Sequence, residues 1–106
     1  MSQILDALVG LYEHGRKTLT DAELEPLAAL TERAGDEARR MAKVCEGLGC
    51  LVGYDGTSKA GAGNFQDAAD VATLLFNLSH QAEVIAALAH IGIGATDELN
   101  RRKVAA

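Results

Sequence analysis

The segment from about residue 65 to about residue 90 constrains the fold most, because its apolar and small residues cover two sides of a helix. They recur at helical spacing in two stripes: Ala68, Ala72, Leu75, Ser79, Ala82, Ala86 and Ala89 in one, and Val71, Leu74, Leu78, Ile85 and Leu88 in the other. Together the stripes occupy well over half of the helix circumference. A helix with this pattern has to be covered on two sides, by other helices of the chain or by a second chain.

A second long helix is predicted from about residue 20 to about residue 48. Thr20 can accept hydrogen bonds from the free N–H groups of the first turn, and Glu23 can reach back to the Thr20 N–H, which is the capping-box pattern. Pro26 lies too deep in the helix to be without cost, so we expect a kink or an irregular first turn there. Steps of three and four then mark a coiled-coil-like seam: Leu24, Leu27, Thr31, Ala34, Ala38, Met41, Cys45 and Leu48.

The similar lengths of these two helices favour an antiparallel hairpin. Much apolar surface is left over, and exposed patches of that size usually mean association. Twofold pairing of two hairpins into a four-helix bundle is the simplest solution, so we expect a homodimer. The predicted interface residues are Leu27, Ala34, Ala38, Met41, Leu75, Ala82 and Ile85. A monomer whose first and last helices cover both stripes is the alternative.

Short helices are predicted at both ends of the chain. The first runs from about residue 3 to residue 14 and ends at Gly15, because glycine readily adopts the left-handed conformation that closes a helix. The run GIGA, residues 92–95, is expected to end the third helix, and Thr96 is expected to cap a short last helix. The chain shows no internal repeat, so we predict one all-α domain over residues 1–106.

A glycine-rich connection, residues 49–63 ("GCLVGYDGTSKAGAG"), joins the two long helices. It exceeds the roughly 2–8 residues of most helix–helix connections, and Asn64 is expected to cap the helix that follows. Backbone N–H groups, a lysine and a helix N-terminus can together bind a phosphate. The candidate ligand-binding residues are Thr57, Ser58, Lys59 and Asn64.

The order of these residues differs from that of a P-loop, in which Gly-Lys-Ser/Thr directly opens the helix. A mobile tether is therefore the leading interpretation of the connection. A partner-binding loop anchored by Leu51, Val52 and Tyr54 is the other interpretation.

Patterns for metal binding and catalysis are weak. Cys45 and Cys50 are spaced more widely than zinc ligands usually are, and Cys45 falls on the seam, so we expect it to be buried. His80 and His90 are about 15 Å apart along a helix, too far to share one ion. His80 and Glu83 lie on one face, where a solvated polar strip is the simpler interpretation. We expect no metal, no cofactor and no catalytic site.

Charge and hydropathy exclude several classes of protein. The formal net charge of −5 argues against general nucleic-acid binding, and Arg101-Arg102-Lys103 is the only unopposed basic run. The first ten residues, MSQILDALVG, lack the basic flank and long apolar run of a signal peptide. No uninterrupted apolar segment approaches the roughly 20 residues of a membrane span. We expect an acidic, cytoplasmic protein that does not enter membranes.

These features favour a small non-enzymatic interaction protein that acts on an unidentified protein partner as an accessory, regulatory or inhibitory factor. The alternative is a small-ligand or nucleotide-binding module that uses the glycine-rich loop before the third helix.

Overall fold

The computed structural model describes residues 3–57 and 67–106, with residues 55–57 described by their backbone alone, and this part of the chain is all-α. Four helices follow one another: α1 (Gln3–Gly15), α2 (Asp21–Ala28), α3 (Leu30–Thr57) and α4 (Ala68–Ala105). No strand occurs within the described ranges, so the predicted fold class is confirmed at this level. The shape is elongated, with principal extents of 67 × 23 × 15 Å.

The start of α2 follows from local chemistry. The Glu23 N–H donates to Thr20 Oγ1 at 3.1 Å, and the Thr20 N–H donates to Glu23 Oε1 at 2.9 Å, which completes the predicted capping box. Pro26 stays inside α2, and the chain breaks three residues after it, at Ala29, rather than in the first turn. The single helix expected over residues 20–48 is therefore two helices, α2 and α3.

The predictions that glycines end the long helices are wrong. Helix α3 continues through Gly49 and Gly53 to Thr57, and α4 continues through the GIGA run to Ala105. The predicted short last helix is therefore the final part of α4. Thr96 caps nothing, because its hydroxyl donates to the Gly92 carbonyl oxygen at 2.9 Å inside α4.

The start of α4 also differs from the prediction. Asp67 is the N-cap, and its carboxylate accepts from the N–H groups of Ala69 at 2.8 Å and Asp70 at 3.2 Å. These bonds satisfy donors that the first helical turn would otherwise leave free. The predicted cap, Asn64, lies outside the described residues.

Helices α3 and α4 form the predicted antiparallel hairpin with shifted bounds. The first turn of α3 contacts the C-terminal half of α4: a Cβ atom at Gly92 would lie 2.3 Å from Thr31 Oγ1 and 2.5 Å from Thr31 N. Only a residue without a side chain allows the two backbones to approach this closely. The close approach at Gly92 fixes the register of the hairpin.

The buried core lies where α1 and α2 pack on the C-terminal half of α4. Tyr12, Leu24, Ala95 and Leu99 form its centre. Beyond this core, α3 and the N-terminal half of α4 continue as a pair of helices. We call residues 38–57 of α3 and 68–86 of α4 the arm.

Candidate functional site

Apolar side chains remain exposed on both helices of the arm. Phe76 is 74% exposed and Leu75 is 59% exposed. Other exposed apolar residues of the arm are Val44, Leu51, Val52 and Val71. Monomeric proteins rarely expose contiguous apolar patches larger than a few hundred Å². The arm is therefore the first candidate for an interaction surface.

Half-buried residues mark the line along which the two helices of the arm face each other. Met41 and Leu48 mark this seam on α3, and Leu74, Leu78 and Ile85 mark it on α4. Their spacings of four or seven residues keep them on one side of each helix.

A row of exposed residues, most of them small, lies on one side of the seam on each helix. The row consists of Ala38, Ala42, Cys45 and Gly49 on α3, and Leu75, Ser79, Ala82 and Ala86 on α4. Both rows are displaced from the seam by the same rotation, so in an antiparallel pair they lie on the same side of the hairpin. We call these eight residues the small-residue face.

The other side of the arm has a different character. The residues one position before the seam are Arg40 and Gly47 on α3 and Thr73, Asn77 and Val84 on α4, and all of them except the half-buried Val84 are exposed. The exposed Lys43 and His80 lie on the same side of the two helices. Polar and charged groups of this kind lose hydration when they are covered without partners. The small-residue face is therefore the side of the arm that a helical partner covers at lower cost.

The predicted interface residues occupy three environments. Two are covered within the chain: Leu27 packs on the core and Ala34 is buried. Two are half-buried at the seam: Met41 and Ile85. Three are exposed and belong to the small-residue face: Ala38, Leu75 and Ala82.

The cysteines lie elsewhere than expected. The predicted burial of Cys45 is wrong, because the seam runs through Met41 and Leu48 and leaves Cys45 exposed. Cys50 is exposed as well, inside α3 rather than at its end.

The described residues do not include most of the predicted ligand-binding loop. Ser58, Lys59 and Asn64 lie outside them, and Thr57 is the last residue of α3. Because α3 reaches Thr57, the prediction that the connection begins at residue 49 is wrong, and Leu51 and Val52 belong to a helix. The nucleotide-binding alternative stays a prediction.

A second candidate site is a cleft of about 190 Å³ at the core end of the molecule. It lies between the α1–α2 connection and α4, and its lining residues are Arg16, Lys17, Gly94, Asp97, Glu98 and Arg101. Glu98 is only 6% exposed. Its two carboxylate oxygens each accept from the Arg101 guanidinium at 2.7 Å, and this hydrogen bonding lowers the pKa of Glu98.

Arg102 of α4 forms hydrogen bonds with the α1–α2 connection, which is one wall of this cleft. Its Nη1 donates to Asp21 Oδ1 at 2.9 Å, and its Nη2 donates to the carbonyl oxygens of Arg16 at 3.4 Å and Lys17 at 3.3 Å. Two residues of the basic run, Arg101 and Arg102, are therefore opposed by Glu98 and Asp21, contrary to the sequence-based expectation. The three-residue spacing of Glu98 and Arg101 on a helix predicts their ion pair. Asp21 and Arg102 are far apart in the sequence, so no local pattern predicts their contact.

The hydroxyl of Tyr12 is an unusual feature beside the cleft. Tyr12 is 6% exposed, and its hydroxyl has no hydrogen-bond partner within the described part of the chain. The hydroxyl lies against Gly94, where a Cβ atom would be 2.7 Å from it. Burial raises the pKa of Tyr12.

Acidic, histidine and cysteine side chains do not cluster around a metal position. Over residues 3–57 and 67–106, no three of them come together as ligands. His80 is exposed on the arm, whereas the Nε2 atom of His90 shares a hydrogen bond with Glu13 Oε1 of α1. Both histidines belong to α4, as the sequence predicts, and they lie in different surroundings.

Helix α4 is long and apolar enough to span a membrane, which by length and composition alone is weak evidence, and only 6% of its apolar window is buried in the structure. Its apolar residues also suit a helical partner, as the small-residue face indicates. Comparison of the chain with protein-family models, with curated proteins and with solved structures finds no significant match.

Proposed function

We propose that the protein is a small non-enzymatic helical interaction protein whose arm pairs with a second copy of the chain. The small-residue face of one arm packs on the same face of the other, and the two hairpins form a four-helix bundle. The exposure of apolar and small residues along both helices of the arm supports this proposal.

The chemistry of the face favours a helical partner. Alanine and glycine let helices approach closely, and close approach gives many weak dispersion contacts along the length of the arm. Leu75 adds a larger apolar group, and full burial of such a side chain contributes about 1.5–3 kcal/mol. A twofold axis supplies each contact twice.

Part of the apolar surface of the arm remains available in such a dimer. Val44, Leu51 and Phe76 are exposed and do not belong to the small-residue face. We assign these residues to contacts with an unidentified protein partner, on which the dimer acts as an accessory, regulatory or inhibitory factor. We place the protein in the cytoplasm, free of membranes and of general nucleic-acid binding, in keeping with its acidic net charge.

Light scattering after size-exclusion chromatography tests the dimer with two matched variants. Ala82→Arg puts a charged side chain on the small-residue face, and Asn77→Arg puts the same side chain on the polar side of the same helix. We expect a dimer for the wild type and for Asn77→Arg, and a monomer of unchanged helicity for Ala82→Arg. Ala34→Arg is unsuitable because Ala34 is buried within the chain and tests folding instead.

Two results would contradict the proposal. One is a monodisperse wild-type monomer at micromolar concentration. The other is a dimer that Asn77→Arg disrupts and Ala82→Arg leaves intact, which would put the contact on the polar side of the arm.

A further inference from the structure

We propose that the two copies in the dimer lie side by side with their core ends at the same end, and that Ile93 of each copy packs over Gly35 of the other. This contact rests on the dimer proposed above, and it fixes which helices meet in that dimer. Helix α4 of each copy then covers α3 of the other copy.

The small-residue face continues beyond the arm toward the core at the same spacing. Its row on α3 alternates steps of four and three residues, and the next two positions are Gly35, which is half-buried, and Thr31, which is exposed. Its row on α4 continues in the same way through Ala89, which is half-buried, and Ile93, which is 53% exposed. Steps of three and four in alternation keep each row on one face of its helix. We call the small-residue face together with these four residues the extended face.

The contact at Gly92 sets the height of Ile93 relative to α3. Gly92 lies against Thr31, and the two helices are antiparallel, so Gly35 lies about one helical turn from Ile93 in the direction of the arm. A helical side chain leans toward the N-terminus of its own helix and covers the preceding turn. Because the N-terminus of α4 lies at the arm, the side chain of Ile93 extends to the height of Gly35.

The sizes of the residues in the two rows favour one of the two simple twofold arrangements. If the core ends lie together, Ile93 faces Gly35, and Leu75 faces Gly49 and Gly53. If the copies run in opposite directions, α4 covers α4, so Leu75 faces Ile93 at both ends and these large residues hold the small ones between them apart. Close packing requires large residues to face small ones, which favours the arrangement with the core ends together.

The surface around Gly35 can accept an apolar side chain. Among the described residues, a Cβ atom on Gly35 would meet only the guanidinium nitrogens of Arg39, at 3.7 and 3.9 Å. Gly35, Thr31 and Arg39 line a shallow groove there. Arg39 forms an ion pair with Asp36, so its charge has a partner and its aliphatic stem can cover an apolar group.

The longer contact also brings the buried area closer to what a stable dimer needs. The extended face is about 27 Å long, compared with about 17 Å for the small-residue face alone. Over the roughly 20 Å width of two helices, the contact grows from about 340 to about 540 Å² per copy. Stable interfaces bury roughly 800 Å² of accessible surface per partner, so the four added residues supply a substantial part of the required area.

Spin labels at position 104 distinguish the two arrangements by double electron–electron resonance. Val104 is 88% exposed near the end of α4, so Val104→Cys in a Cys45→Ala/Cys50→Ala background labels one site per copy. With the core ends together, the two labels should lie less than about 40 Å apart, the diagonal of a four-helix bundle plus the label side chains. In the opposite arrangement each label lies about 30 Å from the middle of the extended face along α4, which separates the two labels by about 60 Å.

Exchange of the large and the small residue tests the contact itself, with dimer dissociation measured by analytical ultracentrifugation. Gly35→Leu fills the position that Ile93 covers, and Ile93→Ala removes the large side chain; each should weaken the dimer by roughly tenfold or more. The double variant Gly35→Leu/Ile93→Ala exchanges the two sizes and should recover most of the lost affinity. Gly47→Leu, the matched control, puts the same side chain on the polar side of α3 and should dimerise as the wild type does.

The outcomes separate this contact from the dimer on which it rests. A wild-type dimer whose labels lie about 60 Å apart, losses that add up in the double variant, or an equal loss in Gly47→Leu would overturn the contact and leave the proposed dimer standing. A wild-type protein that stays monomeric would overturn both. Circular dichroism should show unchanged helicity in every variant, because positions 35, 47 and 93 lie within helices.

Discussion

The contact between α3 and α4 at Gly92 allows the sharpest prediction about the fold. A Cβ atom on residue 92 would lie 2.5 Å from the backbone nitrogen of Thr31 and 3.1 Å from the carbonyl carbon of Leu30. Backbone atoms are held by their own helix and cannot turn aside as a flexible side chain can. The substitution Gly92→Ala should therefore push the two helices apart and loosen the first turn of α3.

The size of the effect is a balance of two opposite terms. Overpacking of a well-packed contact costs about 1–3 kcal/mol, and here the upper part of that range applies because the contacts are with backbone. Replacing glycine by alanine inside a helix stabilises the helix by about 1 kcal/mol. We expect Gly92→Ala to lower the free energy of unfolding by about 1–2 kcal/mol.

Urea unfolding followed by circular dichroism measures this difference, with Gly47→Ala as the matched control. Gly47 also lies inside a helix, but a Cβ atom there would meet nothing within 4 Å. Gly47→Ala should therefore raise the free energy of unfolding, by about 0.5–1 kcal/mol. If Gly92→Ala stabilises the protein as much as Gly47→Ala does, the close approach of α3 and α4 at residue 92 is refuted.

Three further predictions follow from the capping box, the buried carboxylate and the apolar arm. Thr20→Ala removes an acceptor at the start of α2 and should cost about 1 kcal/mol in urea unfolding; no change would mean that the cap does not contribute to stability. The pKa of Glu98 is lowered in the folded state, mainly by Arg101, from its ordinary value of 4.5, so its stabilising effect is complete above that value and is lost as the pH falls through the lower folded pKa. Glu98→Gln should therefore flatten the acid side of the pH–stability curve, and an unchanged curve would show that Glu98 is not held by Arg101. In a flotation assay, the protein should stay in the dense fraction with neutral phospholipid vesicles, and recovery in the vesicle fraction would mean that lipid, rather than a second chain, covers α4.

Sequence patterns predicted the structure correctly where the interacting residues are close together in the sequence. Thr20 and Glu23 are three residues apart, and both capping bonds are present. The periodicity of the long helices likewise predicted helical structure, because a helix repeats its faces regardless of what lies far away in the chain, and their similar lengths predicted the hairpin. The all-α class followed from these two kinds of pattern.

The prediction that glycines end the long helices was wrong because glycine has more than one structural role. A glycine inside a helix costs only about 1 kcal/mol, so tertiary packing readily outweighs its tendency to end a helix. Gly92 and Gly94 leave space for Thr31 and Tyr12, which are far away in sequence. Among the described residues, no contact explains why α3 contains Gly49 and Gly53, where a Cβ atom would meet none of them within 4 Å.

The cleft could not be predicted for a related reason. Arg16 and Lys17 reach it from the α1–α2 connection, whereas Asp97 and Glu98 reach it from α4. Their meeting depends on how α1 and α2 pack on α4, which no single stretch of sequence specifies.

The most direct test of the small-residue face is an isotope-filtered NMR experiment on a mixture of labelled and unlabelled protein. Only contacts between different copies of the chain give signals in this experiment. The account predicts intermolecular signals from the methyl groups of Ala82 and Leu75. A complete absence of intermolecular signals, or signals confined to the polar side of the arm around Asn77, would contradict it.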